Sequence, residues 1–419
     1  MNDSRQTFPA EQERREAKPA GPLWVSPLWV SASIGIAVLA VCAVGGWFDP
    51  QQFFRAYLAT YRFYLGLGLG CLVLLLIYAL TGGVWGFVLR PILESGAGTL
   101  PMLAIGFLPI AFGLSYIYPW THSELIASSA KLQEQQGYLN ERFFLARAAA
   151  YFFVWLVTAR LFLRWSRAHQ RIGDHRYWLR CVNLAGPGLV LYGLAIHFAS
   201  LDWVMTLQSD FHSTIFGPLT ASGHILSAFA AAICVLPGLA RRPTLAAVLS
   251  PKALNDIGNL LLSFVVIWMY MEWFQFMLVW IANMRVDVVW YGPRMRGGWQ
   301  WVFLALVLLH FAAPFGALLS RRVKQSLAAL RTVAAIVLAM HLLFSYYQVL
   351  PAYAADSFSR HWIDFLLPIG WGCVWGALFA YRLRNAEALS EHDPNARDAL
   401  HLRELDEEEA HWDGKLQHV

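Results

Sequence analysis

Eight side chains in this sequence carry chemistry that hydrocarbon surroundings make expensive: His197, Asp202, His224, Asp256, Glu272, Gln275, His310 and His341. Each lies in or at the end of a long apolar run. An ionisable group held at the centre of a bilayer costs about 2.5 to 3.5 kcal/mol on insertion scales, so such groups mark proton or ion routes more often than chance placement would. Glu272 lies 16 residues beyond Asp256, which on one helix is about 24 Å. A carboxyl at that depth either hands protons along or serves as a neutral acid bonded to a neighbouring helix. The histidines have two readings of the same kind, a link in a proton path or a neutral bridge between helices. Facing histidines can also ligate b-type haem. Each run here supplies a single deep histidine, however, not the repeated pair that stacks two haems.

The elements that must position these groups follow from composition. Of 419 residues, 58% are hydrophobic and 14% charged, and mean hydropathy is +0.45, a balance foreign to a water-soluble domain of this size. The 19 Trp, 16 Tyr and 27 Phe suit wide membrane interfaces, where amphipathic rings settle at headgroup level. A net charge of +5 comes without any basic, aromatic-interleaved patch, so nucleic acid is not an expected partner. Cys42, Cys71, Cys181, Cys234 and Cys373 form no CxxC or CxxCH. That spacing excludes covalent c-type haem and cysteine-ligated clusters from this chain, and no metal site is expected.

Runs long enough to cross a core of about 30 Å begin near Val30, Phe63, Leu100, Phe143, Leu184, Thr214, Ile257, Trp299, Thr332 and Asp364. The expectation is an all-α polytopic membrane protein of about ten transmembrane helices, occupying 28–382. A polar tail, 1–27, precedes it and a charged, solvated tail, 383–419, follows. Lys and Arg on the two sides of such a topology number about 23 against about 8, a bias that places both termini in the cytoplasm. The amino-terminal tail reads as retained, with no cleavable signal peptide. His122 to Phe144 has apolar residues at helical spacing among polar ones and is expected to form an amphipathic helix on the outer surface. Pro187, Pro218 and Pro314 are expected to break their spans, and breaks of that kind tend to face protein or a wet cavity.

Several stretches resemble the F subunit of alternative complex III, the bacterial quinol:cytochrome c oxidoreductase, a relative of the polysulfide-reductase-type membrane anchors. They are YLNERFFLAR from Tyr138, GPGLVLYGLAIHFASLDWVMTLQSDFHSTIFG from Gly186, NDIGNLLLSFVVIWMYMEWFQF from Asn255, WYGPRMRGGW from Trp290, HFAAPFGALLSRRVK from His310 and WIDFLLPIGWG from Trp362. The resemblance runs from about Tyr116 to Trp375 and leaves out the first span and both tails. It implies two four-helix bundles plus two flanking helices, in the bacterial inner membrane. It also implies, as partners in one complex, an iron–sulfur subunit, multi-haem c-type subunits and a paralogous ten-span subunit. Quinone or quinol contact and proton conduction follow from it as expectations. Asp202, Ser213, Thr214, Asp256, Asn259, Gln275, Arg294 and His310 match the family pattern. Asn255-Asp256 stands where the family has His-Asp, Arg285-Val286-Asp287 where it has Pro-Glu-Glu, Phe274 where it has a small residue, and Glu272 where it has an apolar one.

Three functions compete on this reading. The first is a respiratory membrane subunit with a proton path through Asp202, Asp256, Glu272, His197, His224, His310 and Gln275. The second is a structural anchor whose Arg285, Asp287, Arg294 and Arg296 dock peripheral electron carriers. The third, an ion-coupled secondary transporter, lacks the inverted repeat of broken helices that such proteins show.

Overall fold

The computed structural model describes residues 27–240, 243–246, 248–283, 285–354, 361–386 and, in the carboxyl tail, 393, 395, 396, 398 and 399, without the side chains of 243, 244 and 285–287. The chain is all-α, with no strand among the described residues, and ten helices are long and apolar enough to span a membrane. They are α1 (Pro27–Phe48), α2 (Pro50–Thr81), α3 (Val84–Phe112), α4 (Glu141–Ile172), α5 (His175–Leu207), α6 (Phe216–Leu239), α7 (Pro251–Ala282), α8 (Trp299–Leu319), α9 (Leu327–Ala352) and α10 (Trp362–Arg384). The amino-terminal tail, 1–26, lies outside the described residues.

Local signals set the ends of these helices. Asp49 caps α2 by accepting from the Gln52 N–H, with Pro50 in the first turn. Asn140 caps α4, whose far end closes on Gly173 at φ 75°, and Asp174 then caps α5. Ser250 and Ser326 cap α7 and α9, and His361 with Asp364 forms a reciprocal capping box on α10. Short polar residues at these positions satisfy the amides that the first helical turn leaves without partners.

Helices α2 to α5 pack as one group and α6 to α9 as another, joined by α2 and α5 against α6, while α1 pairs with α10 on the flank. The expected two bundles plus two flanking helices describe this arrangement. Helix α2 is the axis, buried along nearly its whole apolar length. Its glycine stripe makes that possible, since the His224 carbonyl oxygen of α6 lies 2.0 Å from where a Cβ on Gly70 would stand. Small residues spaced a turn apart let helix backbones approach this closely.

Two of the three expected breaks are absent. Pro187 sits inside an unbroken helix and Pro218 in the first turn of α6. It is α3 that is interrupted, into Val84–Ala97, Leu100–Ile105 and Leu108–Phe112, with Pro101 and Pro109 near the start of the second and third pieces. Pro314 does distort α8, where Leu306–Ala312 is a π-helical turn. Proline has no N–H to offer the carbonyl four residues back, here that of His310, and the turn widens around it. The single amphipathic helix expected over His122 to Phe144 is instead two short helices, Ser123–Ser128 and Ala130–Gln135, split at an extended Ser129 whose hydroxyl caps the second.

The carboxyl tail is not wholly a solvated strand of charge. Asp393 and Asn395 are buried against the α2–α3 turn. The Tyr78 hydroxyl and the Arg90 guanidinium both donate to the Asp393 carboxylate, and the Gly83 N–H donates to Asn395 Oδ1 at 2.9 Å. A polar anchor of this kind was invisible to composition because its partners lie more than 300 residues away in sequence.

Candidate functional site

The polar interior is concentrated in the second bundle. Helix α7 turns Trp268, Glu272 and Gln275 inward, a spacing of four and three residues that keeps all three on one face. Glu272 is 8% exposed and borders a small cavity of about 20 Å³ walled by Trp268, Phe276, Leu306, Phe344 and Tyr347. A space of that size holds about one water molecule. Gln275 accepts from the Ser213 hydroxyl at 3.1 Å and donates to the Tyr291 hydroxyl at 3.2 Å, tying α7 to the loops on either side of it.

Arg294 closes this end of the bundle from within. It is fully buried, lies flat over the Trp290 ring at 3.4 Å, and donates to Gln208 Oε1 at 3.2 Å, the Trp290 carbonyl at 2.5 Å and the Gln348 carbonyl at 2.6 Å. Burial pushes its guanidinium down to about 10, opposed by Tyr347, Tyr291 and Glu272. At neutral pH it stays charged. Its expected role as a surface docking charge is therefore corrected, since it presents no charge outside the fold. Arg296, two residues on, is exposed; the side chains of Arg285 and Asp287 lie outside the described residues.

Gln348 passes the network inward, because its side-chain oxygen accepts from Arg62 Nη2 of α2 at 2.8 Å. A trio of histidines follows. His310, presented by the π-turn, packs against Trp268 with ring centres 4.0 Å apart and lies 5.4 Å from the ring of His341. His341 fits against Gly223, where an added Cβ would stand 2.6 Å from its Cε1, and the neighbouring His224 meets the Tyr192 hydroxyl at 3.1 Å. All three histidines are buried. Among the described residues, both nitrogens of His310, Nδ1 of His341, Nη1 of Arg62, Nε of Arg294 and the Tyr347 hydroxyl have no hydrogen-bond partner. The His310 and His341 rings are too close for a porphyrin to lie between them with its iron bonded to both. Among the described residues no three His, Cys, Asp or Glu side chains gather into a metal site.

Counted along their helices, Glu272, Arg62, His224, His310 and His341 stand about 12 to 18 Å from the ends that share the Tyr291 side of the bundle. Toward the other side the second bundle is apolar. Ile233, Leu236, Leu261, Val265, Leu330, Ala334 and Val337 fill it with almost no exposure. A second polar group enters from that opposite side in the first bundle, where buried Glu94 accepts from the Ser166 hydroxyl at 2.6 Å and from Gln170 Nε2 at 2.8 Å. Arg62, Glu94, Tyr192 and Tyr347 went unnoticed in the sequence because nothing in their own runs separates them from interfacial residues.

The remaining candidates do not join this network. Asp202 is fully buried but engaged, taking Arg147 Nε at 2.8 Å and Nη2 at 3.0 Å in a two-pronged ion pair and the Tyr151 hydroxyl at 2.8 Å. An anion held by three donors is a structural partner, which corrects its expected place among the carriers. Asp256 is exposed near the start of α7, and His197 is half-buried beside Gly217 at the α5–α6 contact.

A separate lipid-side pocket of about 460 Å³ lies between α2, α9 and α10. Leu342, Leu343, Phe365, Pro368 and Ile369 give it apolar walls, with Tyr64, Tyr346 and Asp364 among its lining. Thr60 and Tyr346 share a hydrogen bond of 2.6 Å, Tyr346 donates to the Asp364 carbonyl at 2.9 Å, and Gln52 Nε2 donates to Asp364 Oδ1 at 2.7 Å. This pocket was not foreseen from sequence. No model of a known protein family matches the chain, and no curated protein does either.

Proposed function

We propose that this chain is a membrane subunit of a quinol-oxidising respiratory complex of the alternative complex III kind, in which it carries protons part of the way across the bilayer. The observation that carries the reading is that Glu272, Arg294, Gln348, Arg62, His341, His310 and His224 are gathered in one interior, with Arg294 and Arg62 both bonded to Gln348 and the His310 and His341 rings 5.4 Å apart. Buried polar atoms without protein partners are ordinarily completed by water. Water at the unpaired nitrogens of His310 and His341 turns this set into a line of exchangeable protons. Tyr192 then leads it from His224 toward α5 and the first bundle, where Thr158, Ser166, Gln170 and Glu94 stand as separate polar groups toward the opposite side. The widest gap on α4, from Thr158 to Ser166, is eight residues, or about 12 Å.

The pocket beside Tyr346 and Asp364 suits a quinone, whose flat, weakly polar head needs one hydrogen-bonding end and whose tail needs an apolar exit to lipid. The partners we propose are an iron–sulfur subunit, multi-haem c-type subunits and a paralogous ten-span subunit. In the bacterial inner membrane, with both termini cytoplasmic as the Lys and Arg bias supports, the Glu272 end of the line faces outward. Co-purification with polypeptides that carry c-type haem and iron–sulfur clusters is the expected result of isolating the tagged chain from its native membranes.

Glu272→Gln keeps shape and hydrogen bonding but cannot ionise. In the assembled complex it is expected to lower the protons moved per electron while leaving assembly and uncoupled quinol turnover intact. Unchanged stoichiometry would leave the second reading, a structural anchor, which the apolar layer beneath the histidines favours.

A further inference from the structure

The richest cluster of cations in the fold plays no part in that line. Arg160, Arg164, Arg167 and Arg171 recur on α4 at intervals of four, three and four residues, which places them on one face over about 16 Å. They border, together with Arg382 of α10, a groove between α3, α4 and α10 whose larger part measures about 740 Å³ and whose smaller part about 280 Å³. Arg160, Arg164 and Arg167 are exposed. Arg382 lies close over Gly98, where an added Cβ would meet its Nη1 at 2.7 Å, and its buried Nε has no hydrogen-bond partner among the described residues. Among the described residues the larger part is lined by no acidic side chain, the one in the smaller part, Glu94, is already bonded by Ser166 and Gln170, and Arg171 is engaged by a contact of its own.

We propose that this groove holds the phosphate headgroup of an anionic phospholipid. Helix α4 has 32 residues, about 48 Å against a hydrocarbon core of about 30 Å. The excess of about 18 Å lets the arginine-bearing end of α4 reach headgroup depth, where guanidinium groups donate to phosphate oxygens two at a time. Pro101, Leu156 and Leu163 line the same groove and offer acyl chains an apolar wall. Free phosphate would satisfy only the arginines. The chain's own acidic run, Glu404 to Glu409, would satisfy the charge but has no acyl chain for the wall.

The test uses the full chain in neutral detergent, with phosphatidylglycerol, phosphatidylcholine or inorganic phosphate added and bound lipid counted by native mass spectrometry. Phosphatidylglycerol is expected to be retained and phosphatidylcholine lost. The triple variant Arg160→Gln, Arg164→Gln, Arg167→Gln should weaken that retention about a hundredfold, given the usual attraction per surface arginine. A pair that keeps the charge, Arg164→Lys with Arg167→Lys, should fold in any event and lose about tenfold through its poorer fit to phosphate. Equal retention of the two lipids, protection by phosphate alone, unaltered binding in the variants, or phosphatidylglycerol binding that appears only after removal of 404–419 would each overturn the proposal.

Discussion

Asp202→Leu is expected to remove about 3 to 5 kcal/mol of stability, because it strands the Arg147 guanidinium in a site built to neutralise it. The carboxylate is wholly buried and the Arg147 side chain 10% exposed, so solvent offers little relief. Arg147 is fixed on its other side as well, giving Nη1 to the Tyr138 carbonyl at 2.8 Å and stacking over the Tyr138 ring at 3.8 Å. It cannot swing outward without losing both. The double variant Asp202→Leu with Arg147→Met removes the pair together, and most of the stability should return, since a well-packed apolar pair is often as good as a buried ionic one. Unfolding of the detergent-solubilised single and double variants measures the difference. A single variant within about 1 kcal/mol of the parent would mean that the pair is wet, as surface ion pairs are.

Gly70→Ala should be at least as damaging, at upwards of about 3 kcal/mol. The new methyl group would fall 2.0 Å from the His224 carbonyl oxygen, backbone against backbone, with 2.6 Å to the Ala228 Cβ beside it. No side chain can rotate to make room. Helices α2 and α6 must separate, and with them the contact that joins the two bundles and seats His224. Gly193→Ala is the control, a glycine of α5 with nothing within 4 Å of the added atom beyond its chain neighbours. There the better helix propensity of alanine should raise stability by up to about 1 kcal/mol. The contrast, read as folded yield and unfolding midpoint, separates close helix approach from any general intolerance of added bulk.

These two sites show what escaped a reading of the chain alone. Asp202 and Arg147 stand 55 residues apart, on neighbouring helices whose rotation no local pattern fixes. Arg294 looked like a loop charge because its own surroundings in the chain are polar, and only the return of α9 beneath it supplies the carbonyl that takes it inside. The turn at Gly82 and Gly83, with φ of 67° and 101°, lies within a stretch of apolar residues, so the third span was expected near Leu100 and begins at Val84.

The sequence by itself determined the all-α class, the ten spans and the identity of most groups that hydrocarbon would penalise. Hydropathy and turn chemistry are properties of short runs of chain, and twenty apolar residues in lipid have no alternative to a helix that satisfies their own backbone. Which of those costly groups meet was decided by the tertiary structure. Glu272 and the histidines of α6, α8 and α9 share one interior, Asp202 is taken by Arg147, and Asp256 stays at the surface, because helix rotation and approach follow from packing across the bundle, down to single glycines, and leave no local signature in the chain.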